Sequence, residues 1–389
     1  MLINTADFFK ILEAENFASH GKYIQIDTNI DQHNPNLVVT YGNISYIANI
    51  DIVTPADVNF SISIEAEKFK RISTEYRESS CVELSIFARN LAKIQDTLVR
   101  FIPTTKVKSA DNNFSNYCTT NLEEFLNGIK LIGLFRASNE SNKETKLKNF
   151  YMINSCIASC DGYRVAKYEL PDSLTDGCVA SFNPLIIEFI KSVKDDDKSL
   201  RIEATADHSI QLLSVGNWIV KIERSDAEIK NIESVINVIK SLMIDPEINC
   251  LNIKGFLVNK TLLTKVLSQA NSQACKHNPI DITLSSDTLS IKIIDGDMDL
   301  NQQLSITDLA VIESEINFSV NPKYLLEAIR KAGSIKVDHS INKGMIKMEI
   351  ETHEILSKEN KSVTTITTIN VASADNKMVV KTVNCGKKE

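Results

Sequence analysis

Residues Glu123–Gly133 read EEFLNGIKLIG, and this short stretch decides the architecture because its pattern occurs three times. Phe125, Leu126 and Ile129 place apolar side chains on one face of a helix, and Asn121 stands where an N-cap belongs. The pattern opens again at Asp7 in DFFKILEAEN, with Phe8, Phe9, Ile11 and Leu12 apolar and Thr5 ahead of them. It opens a third time at Thr261 in TLLTKVLSQA, with Leu262, Leu263, Val266 and Leu267 apolar and Asn259 ahead. A second family of helical segments follows: EAEKFKRISTEY from Glu65, NPLIIEFIKSVK from Asn183 and NPKYLLEAIRKAG from Asn321. In the last two, Asn at the cap and Pro at the first helical position form a helix start signal.

The two families keep the same spacing. Phe8 to Phe125 is 117 residues and Phe125 to Leu262 is 137; Arg71 to Glu188 is 117 and Glu188 to Glu327 is 139. Agreement between two independent helix families identifies a threefold tandem repeat. Between the helices the chain alternates as strands do, in NLVVTYGNISYIANIDIV, CVELSIFARNLAKIQDTLVRFI, NFYMINSCIASCDGYRVAKYEL, SLRIEATADHSIQLLSVGNWIVKI, IDITLSSDTLSIKII and MIKMEIETHEI. The expected fold class is α+β, with two helices packed on antiparallel sheets in each of three domains. Polar residues around Lys106–Phe114 and the Asp245-Pro246 break place the domains at 1–112, 113–245 and 246–389.

Composition narrows the function. The formal net charge of −7 excludes a protein that grips nucleic acid by bulk attraction, although an acidic chain can surround DNA if its cations face one surface. The longest apolar runs are too short for a membrane span, and MLINTADFFKILEAE lacks the basic and apolar parts of a secretory signal, so a cytoplasmic protein is expected. Eight scattered cysteines without a CxxC pair read as reduced thiols in cores.

Chemistry is sparse. The six histidines are far apart, and GxSxG, HExxH and Walker-type loops are absent. Asp295-Gly296-Asp297-Met298-Asp299 resembles part of a calcium loop, but Leu300 and Ile306 stand where glycine and glutamate are needed; an acidic loop between strands is the better account. Asp195-Asp196-Asp197 reads as a solvated turn, and the pair Asp161 and Arg164 has no third partner to make it catalytic. No catalytic residue, cofactor or metal is expected.

The turn Ser159–Ala166, SCDGYRVA, resembles the TDGHRLA segment in the middle domain of the bacterial sliding clamp, the beta subunit of DNA polymerase III. Phe318–Leu326, FSVNPKYLL, resembles that family's third-domain FNxxYLLD segment, and Asp226–Ile236 stands where the family has DGRFPDYRRVL. The likeness runs through all three repeats. It implies a head-to-tail homodimer closing a ring around double-stranded DNA, without sequence preference, and docking polymerase and clamp loader through short linear peptides. The helix residues that would then face phosphates are Lys68, Lys70, Arg71, Arg77, Lys130, Arg136, Lys191, Lys194, Lys265, Lys276, Lys323, Arg330 and Lys331. Each of these taken alone fits an ordinary solvated helix face equally well.

The resemblance also implies a partner-peptide pocket formed by Leu147, Cys160, Gly162, Tyr163, Arg164, Val165, Val235, Tyr324 and Val379. Core packing is the alternative reading for Leu147, Val165 and Val379. Lys230 stands where the family has a proline and Lys381 where it has an apolar methionine. Two lysines at the rim would favour acidic peptides. A clamp-fold protein of a phage or mobile element, serving one dedicated partner, is the alternative that these departures keep open. An unrelated repeat protein or enzyme is a third, separated by oligomeric state.

Overall fold

A computed structural model describes residues 2–4, 23–27, 36–41, 44–49, 52–54, 61–76, 79–88, 90–103, 114–137, 145–170, 173–193, 198–216, 218–244, 250–273, 279–295, 298–308, 315–333, 344–356 and 363–383. The expected helix from Asp7 and its Thr5 cap lie outside these residues. Every other expected helix is present: α1 (Ala66–Glu75), α2 (Leu122–Ile132), α3 (Pro184–Ser192), α5 (Lys260–Gln273) and α6 (Pro322–Lys331). One more, α4 (Asp226–Ile239), was not expected.

The caps work as their chemistry demands. Asn121 Oδ1 accepts from Glu123 N at 2.9 Å, Asn183 Oδ1 from Ile186 N at 2.9 Å, Asn259 Oδ1 from Leu262 N at 3.1 Å and Asn321 Oδ1 from Lys323 N at 3.0 Å. Each described helix of the two repeated families is entered from a strand: Ser61–Glu65 before α1, Phe114–Asn121 before α2, Val179–Phe182 before α3, Cys250–Asn259 before α5 and Ile316–Val320 before α6. The strand pairings described are antiparallel, in keeping with the α+β expectation.

The chain divides into two units, Met1–Glu123 with Asp172–Ile229 and Glu124–Pro171 with Lys230–Glu389. In the first, one sheet runs in the order 102–103, 61–65, 23–27, 36–41, 44–49, 218–223, 210–215, 199–205, 114–121 and 174–176. Helix α3 buries Ile186, Ile187, Phe189 and Ile190. The Phe189 ring lies 4.7 Å from that of Tyr46 and 5.2 Å from that of Trp218, an aromatic wedge at the core of this unit.

In the second unit the sheet order is 150–153, 156–160, 164–169, 378–383, 363–372, 345–356, 250–259, 298–308, 288–295, 280–284 and 316–320. Arg164–Glu169 pairs with Met378–Val383, joining segments from distant parts of the sequence. Strand periodicity sorts the side chains: Ile280, Ile282 and Leu284 are buried while Asp281 and Thr283 are only partly so. Helices α5 and α6 pack on one another, and Lys260 Nζ donates to the Ala332 carbonyl at the end of α6.

Helix α2 approaches its sheet closely at Gly128, where an added Cβ would lie 2.6 Å from Tyr168 Cδ1 and 3.0 Å from Ile157 Cδ1. The Tyr168 ring is held at its far end, since its hydroxyl donates to Glu124 Oε1 at 2.7 Å and Lys377 Nζ donates to the same oxygen at 3.0 Å. Those two bonds also hold the Glu124 carboxyl below its ordinary pKa. Gly128→Ala gains up to about 1 kcal/mol of helix propensity but overpacks a tethered ring, which costs about 1–3 kcal/mol. The expected result is net destabilisation in urea unfolding; a stabilised Gly128→Ala protein would contradict this packing.

Candidate partner-binding site

The Asp161-Gly162-Tyr163-Arg164 turn is built by its own backbone chemistry. Asp161 Oδ1 accepts from Tyr163 N at 2.9 Å and from Arg164 N at 2.8 Å, while Gly162 occupies φ +89°, a region open to glycine. Gly162 N donates to Cys160 Sγ at 3.4 Å, and Leu147 Cδ1 lies 3.6 Å from where a Gly162 Cβ would stand. Val383 N donates to Tyr163 O at 2.9 Å, tying the turn to the neighbouring strand.

Arg164 occupies a different place from the partner-facing one expected. It is buried, and its Nε and Nη2 donate to Asp161 Oδ2 at 3.0 and 2.9 Å, its Nη1 to Glu327 Oε2 at 2.5 Å and its Nη2 to Leu134 O at 3.2 Å. Its guanidinium sits 5.1 Å from the Phe135 ring centre and 4.3 Å from that of Tyr324. Tyr324 in turn stacks on the exposed Tyr163 at 5.6 Å. Arg164 therefore braces a pair of tyrosines from within the fold.

The next residue along the strand faces the other way. Val165 is opposite Lys381, and Lys167 is opposite Val379, so these four share a sheet face, the one away from Arg164. A groove of about 360 Å³ opens on this face, lined by Lys167, Met243, Ile253, Lys347, Glu349, Glu351, Asn370, Ala372, Asn376, Val379 and Lys381. Its apolar floor includes Val379 and the half-exposed Ile253. Met243 comes from a turn of π-helix, Lys240–Ile244, that continues α4.

The expectation of Lys381 as a rim charge is corrected. Lys381 is 4% exposed and pairs with Glu351, whose Oε2 also lies 2.7 Å from Nε2 of the fully buried His353. Burial pushes the Glu351 carboxyl up, but the His353 hydrogen bond and the Lys381 charge outweigh it and hold the pKa below the ordinary value. Two further lysines of the groove are likewise compensated, Lys347 by Glu349 at 2.6 Å and Lys167 by Glu169 at 3.0 Å. Only Lys230, exposed on α4, keeps the surface placement expected of it.

Of the nine pocket residues expected, Val379 alone lines the groove. Cys160, Gly162 and Leu147 gather at the turn, and Tyr163, Arg164 and Tyr324 form the braced tyrosine pair. Val165 is 2% exposed and Val235 is 5% exposed, so both serve as core. Sequence reasoning missed Glu327, Glu351, His353 and Asn370. The polar alternation Glu349, Glu351, His353 along one strand was a readable signal for a polar sheet face.

The basic helix residues divide as well. Lys130, Lys191, Lys265, Lys323 and Arg330 are exposed on their helices, as are Lys68 and Arg71 on α1, while Lys331 is partly buried. Lys68 is paired with Glu65 at 2.6 Å and Lys191 with Glu188 at 2.7 Å. Arg136 is a correction: its Nη1 donates to the Ala137 and Lys148 carbonyls at 3.3 and 3.5 Å, and its guanidinium covers the Phe150 ring, so it is turned inward. The side chain of Lys70, and the residues Arg77, Lys194 and Lys276, lie outside what the structure describes. Among the described residues no group of three or more His, Cys, Asp or Glu is placed to hold a metal ion, and no helix is long and apolar enough to cross a membrane.

No protein-family model and no curated protein matches this sequence. Solved structures do match by shape. A DNA polymerase sliding clamp from Caulobacter crescentus superposes with a TM-score of 0.62 at 12% identity, covering 99% of both chains. The DNA polymerase III subunit beta of Pseudomonas aeruginosa gives 0.59 at 12% identity, covering 100% of both chains. A sliding clamp from Bartonella birtlesii, solved bound to griselimycin, gives 0.56 at 12% identity, covering 100% of this chain and 99% of its own. The chain has the sliding-clamp fold from end to end.

Proposed function

We propose that this chain is a DNA sliding clamp: a non-enzymatic processivity factor, in the cytoplasm, that closes a ring with a second copy around duplex DNA and tethers a polymerase. The observation that carries this reading is the end-to-end match in fold and length to sliding clamps, combined with the threefold strand–helix repeat. Three repeats at 1–112, 113–245 and 246–389 would supply six domains to a two-chain ring, joined head to tail. Exposed Lys130, Lys191, Lys265, Lys323 and Arg330 would face phosphates, while the net charge of −7 keeps the rest of the surface from gripping DNA.

Association by encirclement depends on the topology of the DNA. Protein loaded on nicked circular DNA should stay bound through gel filtration at moderate salt, and cutting the circle once should release it. Equal retention on circular and linear DNA would reject the ring.

The groove beside Val379 is proposed as the docking point for a short partner peptide, because it sets Val379 and the half-exposed Ile253 among polar and charged side chains.

A further inference from the structure

Two thiols meet inside the first unit. Cys118 lies on Phe114–Asn121 opposite Thr175 of Leu174–Asp176, the strand at the end of the described sheet. Past that strand the chain turns at Gly177, φ +57°, with Asn116 Oδ1 3.7 Å from where a Gly177 Cβ would stand. Cys178 follows the turn into the core, and both cysteine side chains are 0% exposed. The two thiols are free and share a hydrogen bond. That bond holds Cys118 below its ordinary pKa, outweighing burial, and together with burial it raises Cys178. Cys118 is therefore the sulfur that ionises first.

We propose that Cys118 and Cys178 are a redox pair that closes to a disulfide when the protein meets a peroxide. Access is through the sheet edge: Leu174–Asp176 is three residues long and pairs with one described neighbour, and such short edge segments open ahead of the sheet interior. The Cys118 thiolate attacks one peroxide oxygen, forming a sulfenic acid as the O–O bond breaks and hydroxide leaves. The Cys178 sulfur then attacks the sulfenic sulfur, and its proton leaves with the hydroxyl as water. Two thiols are oxidised to one disulfide, and one peroxide is reduced to two waters. The closed bond is shielded by the burial that both sulfurs already have. It also fastens to one another the segments by which the chain leaves the first unit after Glu123 and returns at Asp172. In a reducing compartment the pair rests as thiols, and closure marks exposure to oxidant. Nothing in this depends on the ring or on the groove beside Val379.

The test treats the folded full-length protein with excess hydrogen peroxide, quenches it, alkylates the remaining thiols in denaturant and digests the product with trypsin. The tryptic peptides 109–130 and 168–191 each carry one cysteine, Cys118 in the first and Cys178 in the second. They should be recovered joined from most molecules, and dithiothreitol should separate them. Cys118→Ala and Cys178→Ala should each abolish the joined peptide. The oxidised protein should unfold at a higher urea concentration than the reduced one, because closure restricts a long loop of the unfolded chain, and both alanine variants should lose that shift. Should an alanine variant fold poorly, wild-type protein oxidised, reduced with dithiothreitol and oxidised again gives the same readout without substitution. Recovery of both peptides singly alkylated after peroxide treatment overturns the proposal. So does a joined peptide that forms only in urea, or Cys118 driven to sulfinic acid with Cys178 left as a thiol.

Discussion

Arg164→Ala should destabilise the protein by about 3–5 kcal/mol, because it removes one partner of a buried ion pair and strands the other. Asp161 would lose the guanidinium that two hydrogen bonds hold against it, in surroundings where neither side chain exceeds 6% exposure. Glu327 is more open, at 26% side-chain exposure, and water recovers part of its loss. The contacts over Phe135 and Tyr324 go as well. Arg164→Lys keeps the charge but not the fork or the stacking face, so it should recover less than half of the loss. Urea unfolding measures both. A cost below about 1 kcal/mol for Arg164→Ala would mean the cluster is not the brace described.

The second large effect is at Lys381. Lys381→Met leaves Glu351 buried with His353 as its remaining partner, and the expected cost at neutral pH is again about 3–5 kcal/mol. Removing both charges, as Lys381→Met with Glu351→Leu, should restore part of it, since apolar replacement of a buried ion pair is often neutral but here leaves His353 Nε2 without its carboxylate. The pH dependence has opposite signs in the two proteins. In the wild type the Glu351 pKa is depressed, so its contribution is full above the unfolded carboxyl pKa and is lost as pH falls through the folded value. Without Lys381, burial dominates and raises the carboxyl; the penalty is then greatest at neutral pH and shrinks as acid protonates Glu351. A single variant whose deficit stays constant from neutral to mildly acidic pH would show that Glu351 does not carry the cost.

Helix caps and strand alternation were legible because each depends on neighbours close in sequence. Asn183-Pro184 and Asn321-Pro322 start helices by local chemistry alone, and both caps are made. Helix α4 was legible too but went unread: Ser225 and Glu228 form a capping box, with Ser225 N donating to Glu228 Oε2 at 2.9 Å and Glu228 N to Ser225 Oγ at 3.4 Å. The candidate site was less accessible. Grouping Arg164 with Val165 in one pocket overlooked the two-residue period that sends them to opposite sheet faces. The burial of Lys381 depends on which strand sets Glu351 beside it, a long-range pairing that local pattern does not encode.

The pairing of Arg164–Glu169 with Met378–Val383 also shapes how the chain is made. On a ribosome the earlier strand emerges long before its mate, separated from it by more than half the protein. At typical elongation rates the delay is on the order of 10–40 s. Throughout that interval the nascent chain presents an unpaired, largely apolar edge, Val165, Ala166 and Tyr168, to its surroundings. Stalled or prematurely terminated products would keep that edge open permanently. They are the species from which clumping in the cell should begin, and holding chaperones should act on nascent chains that have passed Glu169 but not yet reached Met378.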